Sequence, residues 1–444
     1  MADRSATRRV RTGGVRTTVA RHATGRDRHP LVSFLAMVAV VVGVVGASAA
    51  GLVAFHVWDA ANSLNANAVA LGDDDVLPPS LGAIEGGVNL LVVGTDSCEG
   101  ANAALSGACQ NGDTDGERND VTMLVHISDE PRRVTVVSFP RDMIVPIPSC
   151  PYPDGTGSYS AMSAQMLNAS YMYGGLACTA ATVEQLIGDE IDFAAAIRWT
   201  GVINMSDAIG GVDVCVAGDV SDPHTGLTLA AGNHTLQGAQ ALQFLRMRHG
   251  IGDGSDLGRI SNQQQFMSSM VRKLQSGQVL ANPSVLLNLA TTAVDQVQQQ
   301  QLVLSQSLAN PTLMVQIAMA VKDVPYEDIV FVQYPTEYSY DYGASRVLPV
   351  TAAADVLFSA LRENKPLTLT GEASQGYGVE VTGEAAQPGA SATPDPSATP
   401  SPSDGAAGEA AGEPGGAAGE ERVDLPSDIA GQTAAQTTCT VPGG

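Results

Sequence analysis

The sequence predicts an α/β fold, a layered α-β-α domain around a central mixed sheet, preceded by one transmembrane helix. Three observations predict it: apolar runs of strand length, helical patterns alternating with them, and one long uncharged segment near the amino terminus. The run at 88–95 (VNLLVVGT) has the texture of a strand buried on both faces. Runs at 121–127 and 134–139 flank the turn sequence Ser128-Asp129-Glu130-Pro131 and read as a hairpin. Further strands are expected at 191–197, 212–216 and 329–333, and helices at about 178–188, 199–209, 236–245, 256–275 and 352–363. A long apolar helix pair is expected after 280.

From 31 to 55 no residue is charged, which gives 25 residues, where about 20 suffice to cross a hydrocarbon core. Residues 1–30 carry eight arginines against two aspartates. The positive-inside rule therefore holds the amino terminus in the cytoplasm and puts the rest outside a single-pass cell membrane anchor. A cleaved signal peptide is the rival reading, and the apolar run is longer than the roughly 7 to 15 residues of a signal core. The expected organisation is a basic tail at 1–30, a transmembrane helix at 31–56, a stalk at 57–87 and a main domain at 88–370 with its core at 88–275. A disordered linker rich in Gly, Ala, Pro and Glu follows at 371–422, and a tail at 423–444.

The formal net charge is −23 despite that basic tail, so the main body is strongly acidic and no nucleic-acid partner is expected. Six cysteines all follow the apolar segment, and an even count in an oxidising compartment reads as three disulfides. Nearest-neighbour pairing gives Cys98 with Cys109 and Cys150 with Cys178, leaving Cys215 to hold Cys439 near the carboxyl end.

Absent motifs narrow the chemistry. The chain has no G-x-S-x-G elbow, no phosphate-binding G-x-x-x-x-G-K-[ST] loop, no H-E-x-x-H and no dinucleotide fingerprint. Only Lys273, Lys322 and Lys365 are lysines, so arginine must do any anion work, and its planar fork binds two phosphate oxygens at once. Arginine and carboxylate concentrate at four structural edges. Asp96 ends the first strand; Arg118-Asn119-Asp120 precedes the second; Arg141 and Asp142 follow the third. The hairpin brings Asp120 and Arg141 to one sheet edge. The fourth cluster is Arg246 and Arg248, sharing a face if 245–248 is extended, with Asp256, Arg259 and Gln263 on the next helix, the last two one turn apart. Taken singly, an Asp after a strand is ordinarily a turn residue, and Arg118 beside Asp120 is ordinarily a solvated pair worth at most about 1 kcal/mol. Five arginines converging is a different matter, because their mutual repulsion needs an anion or carboxylates to offset it.

In this order the motifs resemble those of the LytR-CpsA-Psr family in its actinobacterial type, whose members attach lipid-linked glycopolymers to peptidoglycan. The stretches are NLLVVGTD (89–96), RNDVTMLVHI (118–127), VTVVSFPRDMIVPIP (134–148), MLNASYMYGG (166–175), IGGVDVCV (209–216), LAAGNHTLQGAQALQFLRMRH (229–249) and DLGRISNQQQF (256–266). The resemblance implies that Asp96 and Asp120 bind Mg2+, that Arg118, Arg141, Arg246, Arg248 and Arg259 grip donor phosphates with Gln263, and that Asp142 and Asp256 orient those arginines. Asp96, Arg118, Asp120, Arg141 and Arg246 are then the catalytic set. The implied donor is a polyprenyl-pyrophosphate-linked glycan and the implied acceptor is peptidoglycan, at a membrane. Two departures stand out: Met166 occupies the position where the family commonly has lysine, and the interval from Asp96 to Asp120 is long and carries Cys98 and Cys109. A pyrophosphatase using water as acceptor, and a non-catalytic anchored protein that holds or regulates wall lipids, are the alternatives.

Overall fold

The computed structural model describes residues 62–71, 87–386 and 421–443, apart from 113–115, 153–154, 278, 280–281 and 344, together with Met37, Val40, Gly43 and Asp59. The chain divides into two units, Met1–Trp58 and Asp59–Gly444, and the described fold belongs to the second. The basic tail and the transmembrane helix expected at 31–56 lie outside the described residues, save Met37, Val40 and Gly43. Among the described residues no helix is long and apolar enough to cross a membrane.

The seven strands of the central sheet are β1 (Val88–Asp96), β2 (Arg118–Ile127), β3 (Val134–Phe139), β4 (Phe193–Arg198), β5 (Leu302–Leu304), β6 (Ile329–Gln333) and β7 (Gly431–Thr433). Their spatial order is β5-β4-β1-β2-β3-β6-β7. β1 pairs in parallel with β4, and β3 with β6, while β2 runs antiparallel to both of its neighbours. The sheet is therefore mixed, as the sequence predicts. One consequence fixes the site: the carboxyl ends of β1, β3, β4 and β6 share an edge with the beginning of β2, where loops can converge on a ligand.

Seven helices matter here: α1 (Ser170–Ile187), α2 (Trp199–Ala208), α3 (Gly238–Arg246), α4 (Asp256–Gln275), α5 (Pro283–Gln298), α6 (Pro311–Val321) and α7 (Thr351–Arg362). The strands alternate their apolar side chains between two faces. Leu91, Val93, Leu124 and Val137 pack against Leu176 and Val183 of α1 and Leu357 of α7. On the opposite face Met123, Val136 and Phe331 meet Val297 of α5 and Leu313 of α6. Both faces of the sheet are thus covered, giving the expected layered arrangement. Helix α1 starts well before the 178 that periodicity suggests, because Gly174 and Gly175 interrupt its pattern. A Cβ at Gly174 would lie 2.8 Å from the Cys178 Cβ and 2.9 Å from that of Cys150, so glycine makes room for the disulfide beside it.

All three disulfides form as expected: Cys98–Cys109, Cys150–Cys178 and Cys215–Cys439. The carboxyl-terminal region departs from expectation in one respect. Within the 371–422 linker, Val379–Glu384 is a strand that pairs with Gln436–Thr440, in a four-stranded sheet with Val212–Val216 and Gly232–Leu236. The tail also supplies β7 to the central sheet. Its polar character hid this, because Thr440 is buried with its hydroxyl donating to the side-chain oxygens of Asn262 and Gln265, each 2.6 Å away. Residues 387–420 of the expected linker lie outside the described residues. Within the expected stalk, Leu64 is buried among Val297 and Leu308, and the Val69 N–H donates to the Leu304 carbonyl at 2.8 Å.

His126 of β2 is buried at 6% exposure, with Nδ1 2.9 Å from Asn89 Oδ1. Burial pushes its pKa down from 6.5 to about 4. The folded value lies below the unfolded one, so the unfolded chain takes up a proton first as pH falls. The stability this group contributes is complete above pH 6.5 and is lost progressively towards pH 4, a difference of roughly 3 kcal/mol. Urea-unfolding curves at pH 7.5 and 4.5 should therefore show a larger loss in the wild-type chain than in His126→Gln; equal losses would refute the assignment.

Candidate functional site

The register between β1 and β2 slips by one residue at the shared edge. Gly94 faces Val121 and Thr95 faces Asn119, which leaves Asp120 as the extra residue of a β-bulge. Bulges re-aim a side chain out of the regular alternation. A Cβ at Gly94 would stand 3.1 Å from that of Val121, so glycine permits the close strand approach on which the bulge closes. One residue on, Asp96 faces Arg118 and its Oδ1 accepts the Arg118 backbone N–H at 2.7 Å. Asn119, fully buried, accepts from the Tyr171 N–H at 3.3 Å and so ties the bulge to the start of α1.

Arginines gather around Asp120 from three other segments. Arg141, immediately after the β3 edge, donates from a terminal nitrogen to Asp120 Oδ1 at 2.6 Å. Its Nε lies 3.4 Å from Asp256 Oδ1 and 3.8 Å from Asp142 Oδ2. At the start of α4, Ser255 caps the helix by accepting from the Gly258 N–H, and Asp256 sits in the first turn, where a negative charge suits the helix dipole. Asp256 pairs with Arg259 at 2.7 Å, and Arg259 reaches the Asp120 carbonyl at 2.8 Å. Gln263, one turn further along α4, donates to the Leu245 carbonyl at 2.9 Å.

The condition that 245–248 be extended is not met. Helix α3 runs to Arg246, and the chain becomes extended only at Met247. Arg246 and Arg248 nevertheless line one cleft. Arg246 lies over the Trp199 ring, 4.0 Å from its centroid, and donates to the Leu105 carbonyl at 3.3 Å. Arg248 donates from Nε to the Gly254 carbonyl at 2.8 Å. The cleft, about 230 Å³, is lined by Asp120, Arg141, Arg246, Arg248, Arg259 and Gln263. Of the remaining expected residues, Asp142 and Asp256 back the arginines from behind, and Asp96 borders the group. Arg118 contributes its backbone to Asp96, and its guanidinium forms no ion pair among the described residues.

The balance of charge is uneven. Burial works against the Asp120 carboxylate, but the Arg141 and Arg259 guanidiniums outweigh it and hold its pKa below the ordinary value. Burial likewise opposes the Arg141 charge, yet Asp120 and Asp256 raise its pKa above normal. Arg246 has no carboxylate within ion-pair distance among the described residues, and burial lowers its pKa. The Nε of Arg259, itself 5% exposed, lacks a hydrogen-bond partner among them. Asp96 is pushed up to about 7 by burial and by the neighbouring Asp120 charge. Asp120 raises the proton affinity of Asp96 while its own carboxylate is held ionised by the arginines, and carboxylate oxygens are the hard donors that Mg2+ takes. Among the described residues no group of three or more His, Cys, Asp or Glu side chains forms a metal cluster.

Sequence reasoning missed several members. Trp199 is one of two tryptophans, and that rarity was the available signal. His224 and His249 line the same cleft with ring centroids 4.3 Å apart. His249 adjoins Arg248 in sequence, whereas nothing local marks His224. Both are fixed by Asp222, whose carboxylate accepts the backbone N–H groups of His224, Arg248 and His249.

Comparison with known proteins gives a consistent picture. A family model described as the LytR_cpsA_psr family matches residues 60–363. The chain is 30% identical over 291 residues to the cell wall biosynthesis protein LcpA of Corynebacterium glutamicum, covering 61% of this chain and 55% of that protein. It is 34% identical over 213 residues to the probable cell wall biosynthesis protein LcpB of the same organism, covering 47% of each. It is also 33% identical over 169 residues to the polyisoprenyl-teichoic acid–peptidoglycan teichoic acid transferase TagU of Bacillus cereus, covering 38% of this chain and 51% of that one. The chain spans about half the length of the curated relatives it matches.

The Trp199 ring holds the Arg246 guanidinium by an interaction worth about 1 kcal/mol. Trp199→Ala is therefore expected to weaken binding of inorganic pyrophosphate about fivefold by calorimetry, and Trp199→Phe should stay near wild type. Unchanged affinity in Trp199→Ala would mean the ring does not position the arginine.

Proposed function

The chain belongs to the LytR_cpsA_psr family, and from that premise we propose that it is a phosphotransferase of cell-wall assembly. It moves a glycopolymer from a polyprenyl-pyrophosphate carrier to peptidoglycan. The observation that carries this reading is the surplus of guanidinium over carboxylate in one cleft: Arg246 and Arg248 have no ion-pair partner among the described residues, and Arg141 and Arg259 already share theirs. Such a surplus fits a ligand bearing several negative charges close together. A diphosphate is that ligand. The name of the TagU relative, a polyisoprenyl-teichoic acid–peptidoglycan transferase, supports the same donor and acceptor classes.

The division of labour follows from the contacts. Arg141, Arg246, Arg248 and Arg259 bind phosphate oxygens and neutralise charge that grows on them as the reaction proceeds, which is the main task in phosphoryl transfer. Asp142 and Asp256 hold the guanidinium planes in orientation. Gln263 donates from the helix that carries Arg259. A sugar hydroxyl of the acceptor attacks the glycan-proximal phosphorus, the bond from that phosphorus to the bridging oxygen breaks, and polyprenyl phosphate leaves carrying the hydroxyl's proton. Asp96 and Asp120 would hold Mg2+, which when bound supplies further neutralisation of the diphosphate. Arg118 is assigned to the donor phosphates on the strength of the motif it shares with the family.

The location belongs to the same proposal. Residues 31–56 anchor the protein in the cell membrane with the catalytic domain outside, a reading supported by the arginine-rich segment before them. Three disulfides support it too, since such bonds persist in oxidising compartments.

Arg246 has no ion pair to lose among the described residues, so Arg246→Ala should leave thermal unfolding near wild type while lowering transfer by at least about 100-fold. Arg141→Lys, which keeps the charge but not the fork, should also lose activity. The measurement follows polyprenyl phosphate released and glycan incorporated into purified peptidoglycan, with and without chelator. Wild-type rates in both variants would remove the assigned roles. Carrier release without incorporation would identify a pyrophosphatase, and undiminished turnover in chelator would remove Mg2+.

A further inference from the structure

We propose that a second cleft, on the far side of the arginine network, binds the acceptor glycan strand and uses a tyrosine-bearing hairpin as its saccharide platform. The proposal rests on the phosphotransferase reading for the use made of the glycan, though not for the binding itself. This cleft measures about 430 Å³, and its lining includes Asp142, Arg248, Asp253, Asp256, Tyr338 and Ser345. Arg248 lines both clefts. Asp142 and Asp256 line the second while contacting Arg141, which lines the first. A group bound in the second cleft is thus separated from one in the first only by side chains that touch both.

The hairpin is built from Thr336–Tyr338 and Val347–Pro349, paired antiparallel. A bridge between Met143 and Val347 fastens it to the segment that follows Arg141 and Asp142, and Arg346 lies 3.5 Å from Asp142. Its position relative to the phosphate-binding arginines is therefore fixed by the chain. The hairpin presents three aromatic side chains to solvent: Tyr338 is 50% exposed, Tyr340 99% and Tyr342 51%. Large aromatic surface left in water at adjacent alternate positions needs a partner to explain it.

The chemistry around these rings favours sugar over other partners. Tyr combines a flat apolar face with a hydroxyl, which matches a pyranose with C–H groups on one face and hydroxyls at the rim. Carboxylates at Asp142, Asp253 and Asp256 accept hydrogen bonds from hydroxyls, but they would repel a second phosphate. Ser339 and Asp341 interrupt the tyrosines, so the patch is amphipathic and too broken for an apolar protein interface. A glycan strand lying on the hairpin would carry one hydroxyl past Asp142 and Asp256 towards the phosphorus held by Arg141 and Arg248. The roles of the two clefts are then complementary: diphosphate donor in the basic one, sugar chain in the one lined by carboxylates and Tyr338.

The test uses the full chain in detergent micelles and, as probe, a tetrasaccharide released from peptidoglycan by a muramidase. Wild-type protein is expected to bind it, and the triple variant Tyr338→Ala/Tyr340→Ala/Tyr342→Ala to bind at least tenfold more weakly. Ser345→Trp, which fills the cleft while leaving all three tyrosines in place, should weaken it as well. Both variants should keep wild-type affinity for inorganic pyrophosphate, and in transfer assays should raise KM for peptidoglycan while leaving KM for the donor unchanged. No binding by the wild-type chain, or wild-type binding by both variants, overturns the proposal. Binding that is lost in the variants, from a protein that never transfers glycan, would leave this site standing and remove the phosphotransferase reading.

Discussion

The contact between Asp120 and Arg141 is the constraint from which the rest of the site follows. A partly buried ion pair is a poor source of stability, since desolvation consumes much of the attraction. Its effect here is positional. Asp120 is displaced from the regular strand alternation by the bulge, and its carboxylate takes Arg141 while its carbonyl takes Arg259. Segments 21 and 139 residues away in sequence are held to one point by these two bonds. Asp256 then pairs with both arginines from the helix side. With the carboxylates committed in this way, Arg246 and Arg248 are left with carbonyl and aromatic partners and an unspent positive charge.

That arrangement accounts for how much of the molecule can be read from residues alone. Strands such as β1 and β3 declare themselves because burial on both faces demands continuous apolar character. The meeting of Asp120 with Arg141 is legible too, because antiparallel pairing of β2 and β3 leaves no alternative. The geometry at Arg246 and Arg248 was not. A period-two spacing suggests a strand, yet α3 continues to Arg246 because its buried Ala241, Leu242 and Phe244 follow helical spacing. His224 was invisible for a related reason: Asp222 holds it beside His249 through backbone N–H groups, which leave no mark on side-chain identity.

The carboxyl-terminal strands show a third kind of illegibility. Gln436–Thr440 is too polar to read as a buried strand, and its burial depends on partners far away in sequence. Gln265 donates to the carbonyls of Cys215 and Thr438, and Arg272 donates to those of Ala434 and Gln436. Helix α4 therefore carries two sets of polar residues with separate tasks. Near its beginning Arg259 and Gln263 face the cleft, and from Gln265 onward it receives the end of the chain. The disulfide from Cys215 to Cys439 closes the same junction covalently.

Because Val379–Glu384 and Val423–Asp424 are both anchored in sheets, the chain is held on either side of the stretch between them. Closing a loop costs free energy that grows only logarithmically with its length, about 0.6 kcal/mol for each doubling. The distance in sequence between the two anchors is therefore nearly neutral for folding. Evolution can lengthen or shorten that stretch, or change its composition, without disturbing the part of the molecule that carries the arginine cleft.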